Sequence, residues 1–468
     1  MASVAVVGGG AAGLAVAYHL YQAAPHLRIA LLEAGARLGG KITTVAENGF
    51  LLEGGPDAVV RYKPWALELV HQLGLQSEVV GTLPAHPSAL IHDGHQALPI
   101  PAGLQMVVPS DLGALAKSPL LSPFGKARAL LDLLIPKGPA QDEPFGALPK
   151  GPAQDEPFGA FIQRRLGRQV WERLVAPLTG GIYGGDPYEL STLAAFPQLK
   201  ALEQQHGSLI RGAMRQRKER GSREKGQLFA SLKRGLGSLV EAIRARLGGV
   251  EILLNTQVEA LERASGWRIH TKQGSLQADA LVLATPSGVS GRLLESLHPQ
   301  AASALRQIPY SASSTVTFAF PREKLPPRKG HGVLMVSQRG FSVRGFTWVD
   351  QKWPCRAPEG YALVRGYFSG LQAEQEELIR LALRDLVRLW GRVHEPIHTW
   401  VFHWKEGLPR YTLGHQERLS EALRAETLPG LFLVGAAYCG VGLPEVLRMG
   451  KAVAERVLAY TGSGRSDS

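Results

Sequence analysis

Three glycines near the start of the chain are spaced for one kind of chemistry. Residues 3–14 read SVAVVGGGAAGL, an apolar run followed by Gly8, Gly10 and Gly13. In this G-x-G-x-x-G pattern the first glycine permits a tight turn. The second lets a pyrophosphate approach the backbone, and the third lets the following helix pack on the strand. The stretch AAGLAVAYHLYQAA predicts that helix, with its N-terminal N–H groups and positive dipole end against the phosphates. A second strand, LRIALLEA, ends at Glu33, twenty residues past Gly13, with Ala34 beside it. A carboxylate there binds the hydroxyls of an adenosine ribose. The implied chemistry is redox chemistry at a bound dinucleotide. A glycine-rich turn without a ligand is the competing reading, and it leaves the placement of the helix and the acid unexplained.

Nicotinamide and flavin dinucleotides both satisfy this fingerprint. Two further glycine clusters, in ARLGGKITT and GFLLEGGPDAV, occur before residue 60. A flavin held along its whole length needs backbone approach where a Cβ would intrude, so the clusters favour FAD. No Ser-His-Asp set, paired carboxylates or metal-ligand cluster stands out, and no catalytic acid or base is nominated. The fourteen histidines are read as structural. Cys439 invites a covalent flavin link, but a small buried thiol explains it as well.

The elements that must position these residues come from a long, globular chain. At 468 residues, 45% hydrophobic and 20% charged, two or three domains are expected. Two distant cysteines, Cys355 and Cys439, argue against a disulfide framework and for a reducing, cytoplasmic setting. The net charge of +12 favours anionic partners. No nucleic-acid module is recognisable. Neither a signal peptide nor a run of eighteen apolar residues occurs, which leaves at most a peripheral contact with the inner face of a membrane.

Periodicity supplies the layout. A βαβ start is followed by a helix in PWALELVHQLGL and short helical pieces in DLGALAKS and FGKARALLDLLI. PKGPAQDEPFGAL at 136–148 is then repeated as PKGPAQDEPFGAF at 149–161. One tandem copy is not a solenoid, so the first copy, 136–148, reads as a dispensable surface insertion. The second runs into a predicted helix with Phe161, Leu166, Val170, Leu174 and Val175 on one face. Residues 211–225 carry seven Lys or Arg against two Glu and read as a solvated loop, with contact to an anionic membrane as the sharper reading. Strands follow in VEILLNTQVEALERA, GWRIHTKQ and ADALVLATP, and a second, antiparallel sheet in 313–320 and 361–368. A strand, glycine loop and helix close the chain. The fold class is α/β. The Rossmann-like cofactor domain is drawn from 1–80, 226–292 and 426–468, the substrate domain from 81–100 and 293–425, and a helical subdomain from 101–225.

Four stretches give the chain a family likeness: EGGPDAV at 53–59, APLTGGIYGGDPYELS at 176–191, HWKEGLPRYTLGH at 403–415 and VGAAYCGVGLPEVLRMG at 434–450. With them the chain resembles, over nearly its whole length, the protoporphyrinogen and coproporphyrinogen oxidases of haem synthesis, within the FAD-dependent amine oxidases. The 176–191 stretch is the family-specific one and speaks against an amine oxidase or a carotenoid desaturase. A non-catalytic flavin-fold binding protein is disfavoured by cofactor contacts at both ends of the chain. The departures are the duplication and Ala436, where a polar residue such as Asn is expected.

The resemblance implies one non-covalent FAD per chain. Its adenine half would lie on Gly8, Gly10, Gly13, Glu33 and the backbone near Val258. Arg37, Gly39, Gly40, Lys41 and Gly435 would meet the pyrophosphate and ribityl region. Gly54, Gly55, Pro56, Asp57, Trp404 and the helix starting at Leu443 to Val446 would surround the ring; Trp404 reads equally well as a buried strand residue. A helix N-terminus aimed at the flavin would stabilise the charge of the reduced ring. The resemblance further implies loss of six electrons and six protons from a porphyrinogen, in three steps with oxygen as acceptor and hydrogen peroxide as product. The substrate's propionates need cations, for which Arg61 and Lys63 are the candidates. The positive net charge leans towards the four-carboxylate coproporphyrinogen.

Overall fold

The computed structural model describes residues 2–136, 155–181, 185–220, 227–336 and 340–463. Strands rich in Val, Ala, Ile and Leu are buried on both faces, as parallel strands covered by helices must be, except at the partly buried edge strand of residues 250–253. They build a five-stranded parallel sheet from β1 (Ser3–Val7), β2 (Arg28–Leu32), β3 (Val250–Leu253), β4 (Ala280–Leu283) and β5 (Leu431–Leu433). The order is β3-β2-β1-β4-β5. Val6 lies in register with Leu31 on one side and Val282 on the other. Helix α1 (Ala11–Ala23) and the closing helix α2 (Leu443–Ser463) cover one face. They meet so closely that a Cβ on Gly450 would stand 2.5 Å from that of Ala15. Segments far apart in sequence thus make one layer.

A seven-stranded sheet lies beside it, in the order His398–Pro409, Tyr310–Pro321, Tyr361–Ser369, Gly345–Trp348, Gly332–Met335, Leu90–His92, Ala97–Pro99. All pairs are antiparallel except Gly332–Met335 with Leu90–His92. Its two faces differ. Val316, Phe318, Phe320 and Phe368 pack on Leu378, Ala382 and Leu386 of the helix Gln375–Trp390. On the opposite face Ala319, Leu363, Trp400 and Phe402 meet Phe50 and Leu52, directly before the 54–57 loop.

The expected helix across 161–178 is interrupted. Gly167, at φ +90°, ends the helix Phe158–Leu166, and shorter turns continue to Gly180. Phe161, Leu166, Val170, Leu174 and Val175 are nonetheless all buried. A second correction concerns the basic stretch, whose described part is the helix Leu209–Arg220 and not a loop. Leu209, Ile210 and Ala213 are buried and give that helix an apolar anchor that the charge count conceals. Residues 221–225 lie outside the described residues.

So does the first repeat copy after Pro136. The end of the second copy is packed: Glu156 pairs with Arg164 and Lys200 at 2.7 and 2.6 Å, and Phe158 stacks on Phe196 at 3.9 Å.

Candidate functional site

The fingerprint turn is held by contacts among its own residues. Gly8 has φ +107°, and its N–H donates to Leu32 O at 2.7 Å. A Cβ on Gly13 would overlap the Gly8 carbonyl. Gly10 differs from both. It caps α1, and a Cβ there would meet nothing within 4 Å. The space beside it is the cradle that a close-approaching phosphate requires, so the residues fit a dinucleotide. Glu33 accepts the N–H groups of Gly9 and Gly35, both at 2.7 Å. A carboxylate offers about four acceptor positions, so capacity remains for ribose hydroxyls. Val258 starts a strand next to this point, where Thr256 N–H donates to Glu33 O and Asn255 N–H to Gly35 O. Ala34 is exposed at the rim.

The next glycines serve a purpose the sequence reading misses. Gly39 bridges to Gly10 as a strand neighbour, its N–H donating to Gly9 O at 2.8 Å. A Cβ on Gly40 would stand 3.1 Å from the Gly10 Cα, and one on Gly55 would overlap the Lys41 carbonyl. On Gly54 it would stand 2.5 Å from the Phe402 ring. These glycines let chain lie on chain, a close-packing role that the sequence reading did not give them. Arg37 turns inward and donates to Gly40 O at 2.7 Å, to Leu38 O and Ile42 O, and to the Thr43 hydroxyl. Lys41, by contrast, makes no hydrogen bond or ion pair among the described residues, and burial holds its ammonium below the usual lysine range.

At the 54–57 loop the Gly54 N–H donates to nearby Thr43 O at 2.7 Å, and the side-chain ties are long-range. Trp404, half-buried on the strand His398–Pro409, donates its indole N–H to Gly54 O at 2.8 Å. Arg365 donates to Gly55 O at 2.8 Å. The Asp57 carboxylate accepts from Lys352 Nζ at 2.9 Å and Trp353 Nε1 at 3.1 Å. Burial alone would raise Asp57, but Lys352 and Arg365 outweigh it and hold the carboxyl well below its ordinary range. Neighbouring Glu53 has the opposite fate. It accepts from Thr44 Oγ1 and Leu236 N–H, each at 2.7 Å, yet burial raises it to about 7. Between Glu53, Asp57, Arg356 and Arg365 lies a cavity of about 10 Å³, the size of one water. Pro56 completes the loop.

The C-terminal loop begins at Gly435 (φ +144°) and leads to Leu443, the first residue of α2. Val446 is buried in its first turn. Burial raises the Cys439 thiol to about 12, so it stays protonated. The two substrate candidates separate. Lys63 is ion-paired with Glu445, whose second oxygen is buried without a partner. Arg61 is exposed; its backbone N–H donates to Leu228 O at 2.9 Å, and its side chain to Phe229 O at 3.4 Å. Among the described residues no helix is long and apolar enough to cross a membrane, and no cluster of metal-ligand type occurs.

The sequence reading gave no role to Lys352, Arg365, Glu445 or Tyr411. Arg365 carries a signal, a lone cation inside the apolar strand YALVRGYF. Lys352 carries none.

Comparison with known proteins agrees with this geometry. The family model for flavin-containing amine oxidoreductases matches residues 11–458. Coproporphyrinogen III oxidase of Bacillus subtilis (strain 168) is 32% identical, over 98% of each chain. The chloroplastic protoporphyrinogen oxidase of Nicotiana tabacum is 31% identical, over 97% of this chain and 85% of its own. Among solved structures, a protein assigned as a protoporphyrinogen oxidase of Exiguobacterium sp. 255-15 superposes with a TM-score of 0.83 at 35% identity, covering 97% of this chain and 98% of that one. A glycine cradle, a braced loop at 54–57 and alignments running end to end agree: the chain belongs to the flavin-containing amine oxidoreductases, as a flavin-dependent oxidoreductase of α/β fold.

Proposed function

We propose that this protein oxidises a porphyrinogen to the porphyrin in haem synthesis, with FAD as its flavin and coproporphyrinogen III as the preferred substrate. The observation that carries the reading is the end-to-end similarity to coproporphyrinogen III and protoporphyrinogen oxidases, over a chain whose cofactor loops are intact and braced. When bound, FAD supplies a two-electron acceptor, used three times per porphyrin. Oxygen takes the electrons, giving three molecules of hydrogen peroxide for six electrons and six protons.

The chain's own residues bind and orient. Gly8, Gly10, Gly13, Glu33, Ala34 and the Val258 backbone hold the adenosine half. Arg37, Gly39, Gly40, Lys41 and Gly435 hold the middle, with the unpartnered Lys41 ammonium free to meet a phosphate. Gly54, Gly55, Pro56, Asp57, Trp404, Leu443 and Val446 surround the ring. Arg61 and Lys63 meet propionates, Lys63 exchanging Glu445 for a substrate carboxylate. We read the chain as a cytoplasmic protein divided along the segments given above, with the basic helix Leu209–Arg220 available for peripheral contact with an anionic membrane.

The preference follows from charge: each extra propionate met by a positioned cation adds roughly 1.5–3 kcal/mol, against about 0.8 kcal/mol per apolar carbon lost with the vinyls. Anaerobic mixing of flavin-loaded protein with coproporphyrinogen III should bleach the flavin. Oxygen should then restore it as porphyrin fluorescence appears, with a higher kcat/KM than for protoporphyrinogen IX. Bleaching by neither compound would overturn the reading.

A further inference from the structure

The turn Gly435–Gly440 leads into α2. Gly435 and Gly440 sit at φ +144° and +119°, and the short helix between them, Ala436–Cys439, has no side-chain cap. Within it Tyr438 N–H donates to Gly435 O at 3.0 Å and Cys439 Sγ to the same oxygen at 3.5 Å; the tie that joins its two ends comes from an earlier segment. Tyr411, 4% exposed, donates its phenol hydrogen to Ala436 O and accepts the Gly440 N–H at 2.7 Å. One hydroxyl therefore spans the turn.

Tyr411 is itself fixed from three directions. Its ring stacks on His415 at 4.1 Å. Burial and the neighbouring Arg418 lower His415 to about 4, with the Ala437 backbone opposing, so no cation sits under the ring at neutral pH. Arg418 donates to Thr412 O, Thr412 Oγ1 and Leu413 O, closing the chain just past Tyr411. From the helical region, Ser191 N–H donates to Tyr411 O at 2.7 Å, and Leu190 pairs with Thr412. The phenol stands where the three regions of the molecule meet.

We propose that Tyr411 is a positioning residue whose hydroxyl sets the 436–440 turn, and through it the direction in which α2 presents its first N–H groups to the flavin. The inference rests on the reading that α2 begins at the flavin ring. A helix N-terminus favours the negative charge of the reduced ring over the neutral oxidised one only while it is aimed at that ring. Loosening the turn therefore weakens the reduced flavin more than the oxidised one.

Tyr411→Phe keeps the stack on His415 and removes the hydroxyl alone. Apoprotein should be titrated with FAD, and the midpoint potential of loaded protein measured by dye equilibration, beside wild type. The Kd for oxidised FAD is expected to rise about tenfold. A further tenfold loss for the reduced form corresponds to a midpoint lower by about 30 mV for a two-electron couple. kcat should fall while KM for the porphyrinogen holds. A lowered melting temperature with unchanged Kd and potential would reduce Tyr411 to a structural residue and overturn the proposal. Should Tyr411→Phe not fold, Arg418→Gln loosens the same segment and should move both readouts about threefold in the same direction; no movement overturns the proposal. Wild-type apoprotein that takes up no FAD would instead refute the cofactor reading itself.

Discussion

At the fingerprint end, Gly8, Gly13 and Glu33 belong to one βαβ unit and are fixed within it: a Cβ on Gly13 would meet the Gly8 carbonyl, and Glu33 accepts the N–H groups of Gly9 and Gly35. At the ring end, the loop proposed to meet the flavin ring, the side chains of Trp404, Arg365 and Lys352 hold Gly54, Gly55 and Asp57 from 350, 310 and 295 residues away. The first end is a local device that assembles with one βαβ unit. The second forms only when two sheets have docked, and its geometry depends on buried charge. Where contacts are local, steric fit decides; where they are remote, electrostatics and hydrogen bonding do the holding.

The sharpest way to break this comparison lies within the fingerprint. Gly13→Val would drive a branched side chain into the Gly8 carbonyl, and no folded protein is expected. Gly10→Val faces open space, so its apoprotein should melt near the wild-type temperature and yet purify without flavin. Circular dichroism melting and flavin absorbance measure the two effects separately. A Gly10→Val protein with full flavin content would mean that the cradle is not where the pyrophosphate lies.

At the ring end the expected effect is smaller and depends on pH. Burial raises Glu53 from 4.5 to about 7. The folded protein thus keeps a proton that the unfolded chain gives up between those values. Stability contributed by Glu53 is full at the acid side of that window and falls as pH rises through it, by about 3 kcal/mol in all. Glu53→Gln carries no such proton, so its melting temperature should climb relative to wild type by about 3 °C between pH 5 and pH 8. Parallel melting curves across that range would show that the carboxyl titrates normally and that the ring end is not held by buried charge.

This difference also explains how much could be read from the chain. The fingerprint and the core faces of the helices follow from spacing and periodicity, because each is a pattern within some thirty residues. The ring-end residues were reached through the family likeness, and their partners largely were not. Nothing in the sequence around Lys352 points to Asp57, and the chain-on-chain packing at glycines 39, 40, 54 and 55 shows only once the opposing chain is in place. The basic helix was missed for a related reason: Leu209, Ile210 and Ala213 precede or interrupt the charge run and are outnumbered by it.

The smallest effect is expected away from both ends. Deleting residues 136–148 joins Ile135 to Pro149, which repeats Pro136 and can offer Arg165 the carbonyl it now bonds at 2.9 Å. A loop shorter by thirteen residues changes closure entropy by a fraction of roughly 1 kcal/mol. Melting temperature and flavin content should match wild type; a drop of many degrees would show that the first copy packs somewhere.

The strand order of the parallel sheet also constrains how the molecule is made. β1 leaves the ribosome well before one of its neighbours, β4, whose Ala280 pairs with Val4, and before β5 at 431–433, which closes the edge beyond. At roughly 5–20 residues per second, translation takes on the order of tens of seconds to deliver that partner. Until then one flank of an apolar strand, Val4 to Val7, stands open on the nascent chain, the kind of edge that pairs with whatever strand reaches it first.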